Sequence, residues 1–374
     1  MPEAAMIVLW VLSIAGVVSW VTTRAMVNLA GRLTILDLPG SGYKAHARPT
    51  PLLGGVAVAI GTAAGVLLSL GADLRQGGGL VAVGAGGVVI LVAGLVDDLR
   101  GMSPRHKFTW QLIAASAAGL CLTAFGVRLD LFLSWPTVWI VALTALWVVA
   151  ITNAVNFLDN MDGLCAGVGA IAAAALSLAN LRTGEPTVAA ASAALCGACL
   201  GFLPFNWPHA RIFLGDAGSM LIGFLLSALS VLGVYTREAQ VPVLSVFSPL
   251  FVLGIPVLDL VLVMVLRWQA GHPVWLGDRR HISHRLVNRG MRPATAVAAL
   301  WAAGAACGLA ALLLPAVGPA QAPLLLALLV CALGALAAAA GTKGLPSRPE
   351  LAPAPTVVED VATVQPERPG TLSR

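Results

Sequence analysis

Stretches of about twenty consecutive apolar residues recur along almost the whole chain, the length a helix needs to cross a hydrocarbon core. Eleven stretches meet that measure, at roughly 5–27, 53–72, 79–96, 107–126, 136–157, 163–181, 186–205, 214–235, 241–266, 293–315 and 321–341. The expected fold class is therefore all-α, a polytopic membrane helix bundle of about eleven transmembrane helices. Composition agrees: 58% of the 374 residues are hydrophobic and only 10% are charged, against about 25% charged in a soluble domain. The 40 glycines suit closely packed membrane helices, whose backbones approach where side chains are small. The first stretch has no basic segment before it and reads as a retained span, not a cleaved leader.

An odd number of spans puts the two ends of the chain on opposite sides, and the basic residues choose which. With the N-terminus outside and the C-terminus cytoplasmic, eighteen of the 22 Lys and Arg residues fall inside and only Arg75, Arg128, Arg182 and Arg237 fall outside, as expected when cytoplasmic loops carry the positive excess. The membrane domain extends over 1–342. Residues 343–374, with six prolines and little apolar periodicity, read as a disordered cytoplasmic tail. The six cysteines lie in or beside apolar runs and read as small packing residues. No repeat period or correspondence between halves marks a solenoid or a transporter.

On that topology Asp97, Asp98, Asp159, Asp162, Asp216 and Asp278 all lie at cytoplasmic span ends or in the loops just beyond. A single acid at a helix end is commonly a solvated anchor, but several of these follow directly on apolar sequence, where an ionisable residue marks function by default. Asp97 and Asp98 point about 100° apart on a helix, so two roles are expected, toward a metal and toward a substrate. Both oppose the dipole of a helix C-terminus, which calls for a compensating cation. The stretch Asn153-Ala154-Val155-Asn156-Phe157-Leu158-Asp159-Asn160-Met161-Asp162-Gly163 puts Asn153 and Asn156 on one face, and Asp159 with Asp162 as well if the helix continues. Gly215-Asp216-Ala217-Gly218-Ser219 opens a span, where free N–H groups favour an anion; an N-cap is the lesser reading of Asp216 taken alone. Two basic stretches complete the cytoplasmic face: Lys44-Ala45-His46-Ala47-Arg48 and Asp278-Arg279-Arg280-His281-Ile282-Ser283-His284-Arg285. Together these groups suit a polyanionic substrate bound through Mg²⁺, which takes one or two carboxylates plus phosphates and waters, and so phosphoryl transfer or hydrolysis at a membrane surface.

In this order the motifs resemble those of the polyprenyl-phosphate N-acetylhexosamine-1-phosphate transferases, from about Lys44 to Leu286. The matching residues are Lys44, His46, Pro49, Pro51, Gly54 and Gly55; Asp97, Asp98, Ser103, Pro104 and Lys107; Asn153, Asn156, Asp159, Asp162 and Gly163; Asn206, Phe213, Gly215, Asp216, Gly218 and Ser219; and His281 with His284. Asn160 stands where the family usually has Gly, and Ser283 where it has a middle His. The resemblance implies that a lipid phosphate attacks the β-phosphate of a UDP-sugar, releasing UMP. Asp216 would be the main Mg²⁺ ligand, with Mn²⁺ as substitute, and Asp98 and Asn156 would complete the metal side. Asp97 would bind or deprotonate the lipid phosphate. Asn153, Asn156, Asp159, Asp162 and Asn206 would line the donor side, Phe213 would stack on uracil, and Lys44, His46, Lys107, Arg280, His281 and His284 would meet diphosphate or sugar. The histidine loop has fewer histidines than the muramoyl-pentapeptide branch, which favours UDP-N-acetylglucosamine; that branch, or another UDP-N-acetylhexosamine, is the alternative. The expected partners are the UDP-sugar, the polyprenyl phosphate, the membrane and a second copy in a homodimer, with no nucleic acid; the expected location is the inner (plasma) membrane. The rival class is a cation-coupled transporter, for which only Asp259, deep within its span, speaks.

Overall fold

The computed structural model describes residues 2–37, 49–70, 78–124, 136–233, 247–273, 280–318 and 320–341. Lys44, His46, Asp278 and the tail expectation for 343–374 lie outside the described residues. Every one of the eleven apolar stretches contains helix: α1 (Pro2–Leu33), α2 (Gly54–Leu70), α3 (Gly78–Arg100), α4 (Pro104–Ala124), α5 (Thr137–Leu158), α6 (Leu164–Arg182), α7 (Pro186–Asn206), α8 (Gly215–Leu232), the pair α9 (Ser248–Val252) and α10 (Gly254–Gln269), α12 (Pro293–Leu313) and α13 (Ala322–Ala340). A short α11 (Ile282–Asn288) precedes α12, and two-residue strands β1 (Leu36–Asp37) and β2 (Thr50–Pro51) pair antiparallel.

Among the described residues eight helices are long and apolar enough to cross a membrane, so this is a multi-pass membrane protein. The other three stretches fall short for visible reasons. The apolar part of α2 is only Gly54–Ser69. Helix α4 opens with Arg105, His106 and Lys107 and carries Gln111 inside. The ninth stretch is broken at Leu253, where α9 gives way to α10.

Helix α8 is the axis of the bundle, with 89% of its apolar window buried, whereas α13 has 6% and lies at the rim. It packs against α3 and α5. Glycine permits the closest approaches: a Cβ at Gly94 of α3 would collide with the Ala217 backbone of α8, and one at Gly201 of α7 with the Gly16 carbonyl of α1. Polar side chains inside the bundle also tie helices together, as the lack of water in lipid favours; Ser19 Oγ of α1 donates to Ala198 O of α7 at 2.7 Å. A second apolar cluster, including Leu158, Leu164, Ile255, Ile282, Leu286 and Leu300, joins the end of α5 to α10, α11 and α12. It fixes α11 beside the α5 turn.

Candidate active site

Four helix ends meet at the predicted carboxylates. Asp97 and Asp98 lie in the last turn of α3, Lys107 in the first turn of α4, Asn156 in the last turn of α5 and Asp216 in the first turn of α8. Lys107 Nζ bridges Asp97 Oδ2 at 2.9 Å and Asp216 Oδ2 at 2.8 Å. This cation compensates Asp97 at the α3 C-terminus together with Asp216 of α8. Asp97 Oδ1 accepts the Met102 N–H at 2.6 Å, which shapes the turn into α4. Asn156 Nδ2 donates to Asp216 Oδ1 at 2.6 Å and to Ser219 Oγ at 2.8 Å.

Asp98 faces the other way from Asp97, as the 100° step predicts. Its two oxygens accept the free N–H groups of Asp216 at 2.8 Å and Ala217 at 3.0 Å. It therefore caps α8 from another helix, where the positive helix end stabilises its charge. Gly215 is required here: its φ is +71°, and a Cβ would fall 2.5 Å from Asp98 Oδ2.

A hard dication fits this donor set. The acids offer only oxygen, a carboxylate oxygen that accepts one hydrogen bond retains a lone pair, and Lys107 already shows that a positive charge is accommodated between Asp97 and Asp216. Among the described residues no three His, Cys, Asp or Glu side chains converge with metal-ligand geometry. That is compatible with Mg²⁺, which needs one or two carboxylates when phosphates and waters supply the rest. Asn156, expected on the metal side, directs its N–H at Asp216.

The course of the backbone bears on two of the expected arrangements. Asp159 and Asp162 do not share a helical face, because α5 ends at Leu158 and Asp159 is its C-cap. Asp159 stays close enough for its charge to act on Asp98, whereas Asp162 Oδ2 turns to the Ala210 N–H at 2.9 Å. The turn between them is held by Asn206, whose Oδ1 accepts the Gly163 N–H at 2.8 Å while its Nδ2 donates to Ile212 O at 2.9 Å. Phe213 offers no open aromatic face and is 3% exposed. Its N–H donates to Pro51 O at 2.8 Å and its carbonyl accepts from Gly54 N at 3.0 Å, so the stretch before α8 is clamped against the start of α2.

Residues 280–285 of the basic stretch pack against α10 and the end of α5. Arg280 is buried and donates to Leu266 O at 3.0 Å. His281 Nδ1 lies 2.6 Å from Asp259 Oδ2, and its ring meets Phe157 edge-on at 5.8 Å and His284 at 6.5 Å. The two departures from the family pattern touch each other: Ser283 Oγ donates to Asn160 Oδ1 at 2.6 Å. Gln111 and Arg267, to which sequence reasoning gave no role, and Arg285 of the basic stretch complete the arrangement. Buried Gln111 accepts from Asn153 Nδ2 at 2.6 Å, Arg267 lies over the Phe157 ring at 5.3 Å, and buried Arg285 leaves Nε and Nη1 without a hydrogen-bond partner. Burial, with Arg289 nearby, lowers the pKa of Arg285.

The sequence comparisons identify the family. The profile of glycosyl transferase family 4 matches residues 80–234, which contain Asp97, Asp98, Asn156 and Asp216. The chain is 32% identical over 316 residues to a probable undecaprenyl-phosphate N-acetylglucosaminyl 1-phosphate transferase of Bacillus subtilis (strain 168), covering 80% of this chain and 84% of that one. It is 35% identical over 312 residues to a decaprenyl-phosphate N-acetylglucosaminephosphotransferase of Mycobacterium leprae (strain TN), covering 74% and 76%. A phospho-N-acetylmuramoyl-pentapeptide-transferase of Synechococcus sp. (strain RCC307) is 37% identical over 201 residues, covering 49% and 54%.

Proposed function

This chain belongs to the polyprenyl-phosphate N-acetylhexosamine-1-phosphate transferases of glycosyl transferase family 4, and from that premise we propose that it transfers N-acetylglucosamine 1-phosphate from UDP-N-acetylglucosamine to polyprenyl phosphate. The products are polyprenyl diphospho-N-acetylglucosamine and UMP, in the first membrane step of a cell-envelope glycan. A phosphate oxygen of the lipid attacks the β-phosphorus of the donor, and the bond from that phosphorus to the oxygen bridging the two phosphates breaks. The electron pair leaves with UMP.

The observation that carries this reading is the bridge of Lys107 Nζ between Asp97 and Asp216, with Asn156 and Asp98 around it. Asp97 faces the turn between α3 and α4 and is the group to orient or deprotonate the lipid phosphate. Lys107, released from one carboxylate, meets an incoming phosphate oxygen. Asp98 fixes the start of α8 and so the direction of Asp216. Mg²⁺, or Mn²⁺ in its place, would be held by Asp216 with Asp98 and would neutralise diphosphate charge. Asp159, Asp162 and Asn206 shape the α5–α6 turn on the donor side.

The topology belongs to the same proposal: eleven crossings, N-terminus outside, C-terminus inside, and this site on the cytoplasmic face of the plasma membrane, the face that the positive-inside count selects. The N-acetylglucosamine donor is favoured over the muramoyl-pentapeptide donor because similarity to the named N-acetylglucosamine transferases extends over 74–80% of the chain, and to the muramoyl-pentapeptide enzyme over 49%. The transporter alternative loses its one argument, since Asp259 is bound to His281 and to the Ile282 N–H.

The test is direct. Purified protein is incubated with polyprenyl phosphate, Mg²⁺ and a panel of UDP-sugars, and UMP and the mass of the lipid product are measured. UMP release with UDP-N-acetylglucosamine and a lipid heavier by one phospho-N-acetylhexosamine are expected. A product from UDP-muramoyl-pentapeptide alone, or none from any UDP-sugar, overturns the proposal.

A further inference from the structure

Asp259 is an acid with no place in the transfer described so far. It is the sixth residue of α10, 1% exposed, and ten residues before the end of that helix, or about 15 Å by helical rise. An ionisable group at such depth needs a partner and marks function by default. Its partners come from the start of α11. Arg280 Nη1 is anchored on Leu266 O near the end of α10, and the next two residues reach Asp259. There Asp259 Oδ2 meets His281 Nδ1 at 2.6 Å, and Oδ1 accepts the Ile282 N–H at 2.8 Å. Both oxygens are used, so the carboxylate fixes backbone and imidazole together. Its charge also acts on Arg285 one turn further on.

We infer that Asp259 is a positioning residue for the transfer: it orients the His281 ring and places the proton on Nδ1, so that Nε2 is presented as a hydrogen-bond acceptor to a hydroxyl or amide hydrogen of the donor sugar. A carboxylate can only accept, so the nitrogen facing it carries the proton, and in the neutral ring the other nitrogen has the free lone pair. Among the described residues the only hydrogen bond from the His281 ring is at Nδ1. The ring packs edge-on against Phe157 in the last turn of α5, the turn from which Asn156 is bonded to Asp216. The Ser283–Asn160 hydrogen bond ties the same turn of α11 to the end of α5. A sugar held next to the reacting diphosphate therefore falls within reach of this edge of the site. The inference rests on the proposed transfer for the identity of the ligand, and on geometry alone for the link between Asp259 and His281.

Asp259→Asn separates positioning from packing. The amide keeps the shape and retains one oxygen for the Ile282 N–H, which turns its NH₂ toward Nδ1 and moves the imidazole proton to Nε2, as when the aspartate of a Ser-His-Asp triad becomes asparagine. Nitrogen-15 spectra of histidine-labelled full-length protein in nanodiscs, with the His281 signals identified by their loss in His281→Gln, read this directly without substrate. The Nδ1–H form is expected in the wild type and the Nε2–H form in Asp259→Asn. In steady-state assays kcat/KM for the UDP-sugar should fall about 10- to 100-fold, the range for losing the partner that orients a functional histidine, while KM for polyprenyl phosphate stays within about twofold. In a His281→Gln background the same exchange should change little, since residues acting as a unit are non-additive. The inference is overturned if the tautomer is unchanged in Asp259→Asn, if the loss falls equally on the lipid acceptor, or if it is undiminished in His281→Gln. A variant too unstable to purify passes the decision to Asp259→Glu, which should keep the Nδ1–H form and recover part of the donor kcat/KM; failure of both is the result of a purely structural carboxylate and also overturns it. Absence of UMP release from the wild type would sink the proposed transfer and leave the spectra to decide the Asp259–His281 link.

Discussion

At the junction of α3, α4, α5 and α8 the acids Asp97, Asp98 and Asp216, with Lys107 and Asn156, lie within one turn of a helix end, whereas at α10 and α11 the organising carboxylate lies inside a helix and its partners stand at the start of the next one. Helix ends supply unpaired N–H groups and dipole charge without any special folding of the chain. Asp98 needs only α8 beginning beside it, and Lys107 needs only the short turn 101–103. The Asp259 arrangement requires the start of α11 to be set against α10 and α5, with Arg280, His281 and Ser283 buried there. The first arrangement is held by charge and should respond to cations; the second is held by burial and should respond to fit.

The largest expected effect tests the charged half. Asp216→Asn preserves shape and the backbone N–H bonded to Asp98, but it removes one of the two carboxylates that share Lys107 and the proposed leading ligand for a dication. UMP release should fall at least about a hundredfold, since stabilisation of developing phosphoryl charge is worth several kcal/mol. The wild type should require Mg²⁺ or Mn²⁺ and lose activity on chelation. Near-normal activity in Asp216→Asn, or indifference to chelator, would end the metal assignment.

A smaller effect, but a sharper comparison, is expected from Lys107→Gln. The substitution leaves Asp97 and Asp216 facing each other without a countercharge, and breaking an enclosed pair from one side is destabilising. The melting temperature should drop by several degrees (about 1–3 kcal/mol), and added Mg²⁺ should restore more of it than it adds to the wild type. Asp259→Asn should show no such Mg²⁺ rescue. Equal Mg²⁺ responses in the two variants would erase the distinction between a cation-held and a burial-held half.

Next in size is Asp98→Ala, which removes the interhelix cap of α8. Loss of an N-cap costs about 0.5–2 kcal/mol, read as a lowered melting temperature in the full-length protein, and activity should fall further than stability because Asp216 sits on the freed turn. If stability is unchanged, the two hydrogen bonds to Asp98 contribute nothing and its role is confined to substrate.

The contrast between the halves also explains what could be read from the residues alone. Asp97, Asp98, Asn156 and Asp216 were legible because acids and amides that interrupt apolar runs at span ends stand out against lipid-facing sequence. The Asp97/Asp98 divergence followed from helix geometry. The shared face of Asp159 and Asp162 depended on helix continuing past Leu158, and nothing local announces that Asn206, 43 residues beyond Gly163, takes over the turn. Burial of Phe213 comes from hydrogen bonds to Pro51 and Gly54, more than 150 residues earlier, and Gln111 reads in sequence as an isolated polar residue in a span. Asp259 could be flagged as misplaced, but its partners are 22 and 23 residues away across a loop with no periodicity to fix its path.

The smallest effect is expected where the chain departs from its family, at Asn160 and Ser283. Asn160 donates through Nδ2 to Phe157 O at 2.6 Å and accepts through Oδ1 from Ser283 Oγ at 2.6 Å, so one amide closes the end of α5 and ties α11 to it. Ser283→Ala removes the tie and leaves the α5 closure, at a cost near that of one buried hydrogen bond, about 1 kcal/mol. Because α11 is also held by Asp259 and by the apolar contacts of Ile282 and Leu286, the loss should appear as a two- to fivefold lower kcat/KM for the UDP-sugar, with the melting temperature nearly unchanged. Asn160→Gly removes both bonds and should cost more than Ser283→Ala. Added to Asn160→Gly, Ser283→Ala should cost nothing further, because the hydroxyl has already lost its acceptor. Two independent, additive losses would mean that the pair does not act as one tie, and that α11 is placed by the Asp259 side of the site alone.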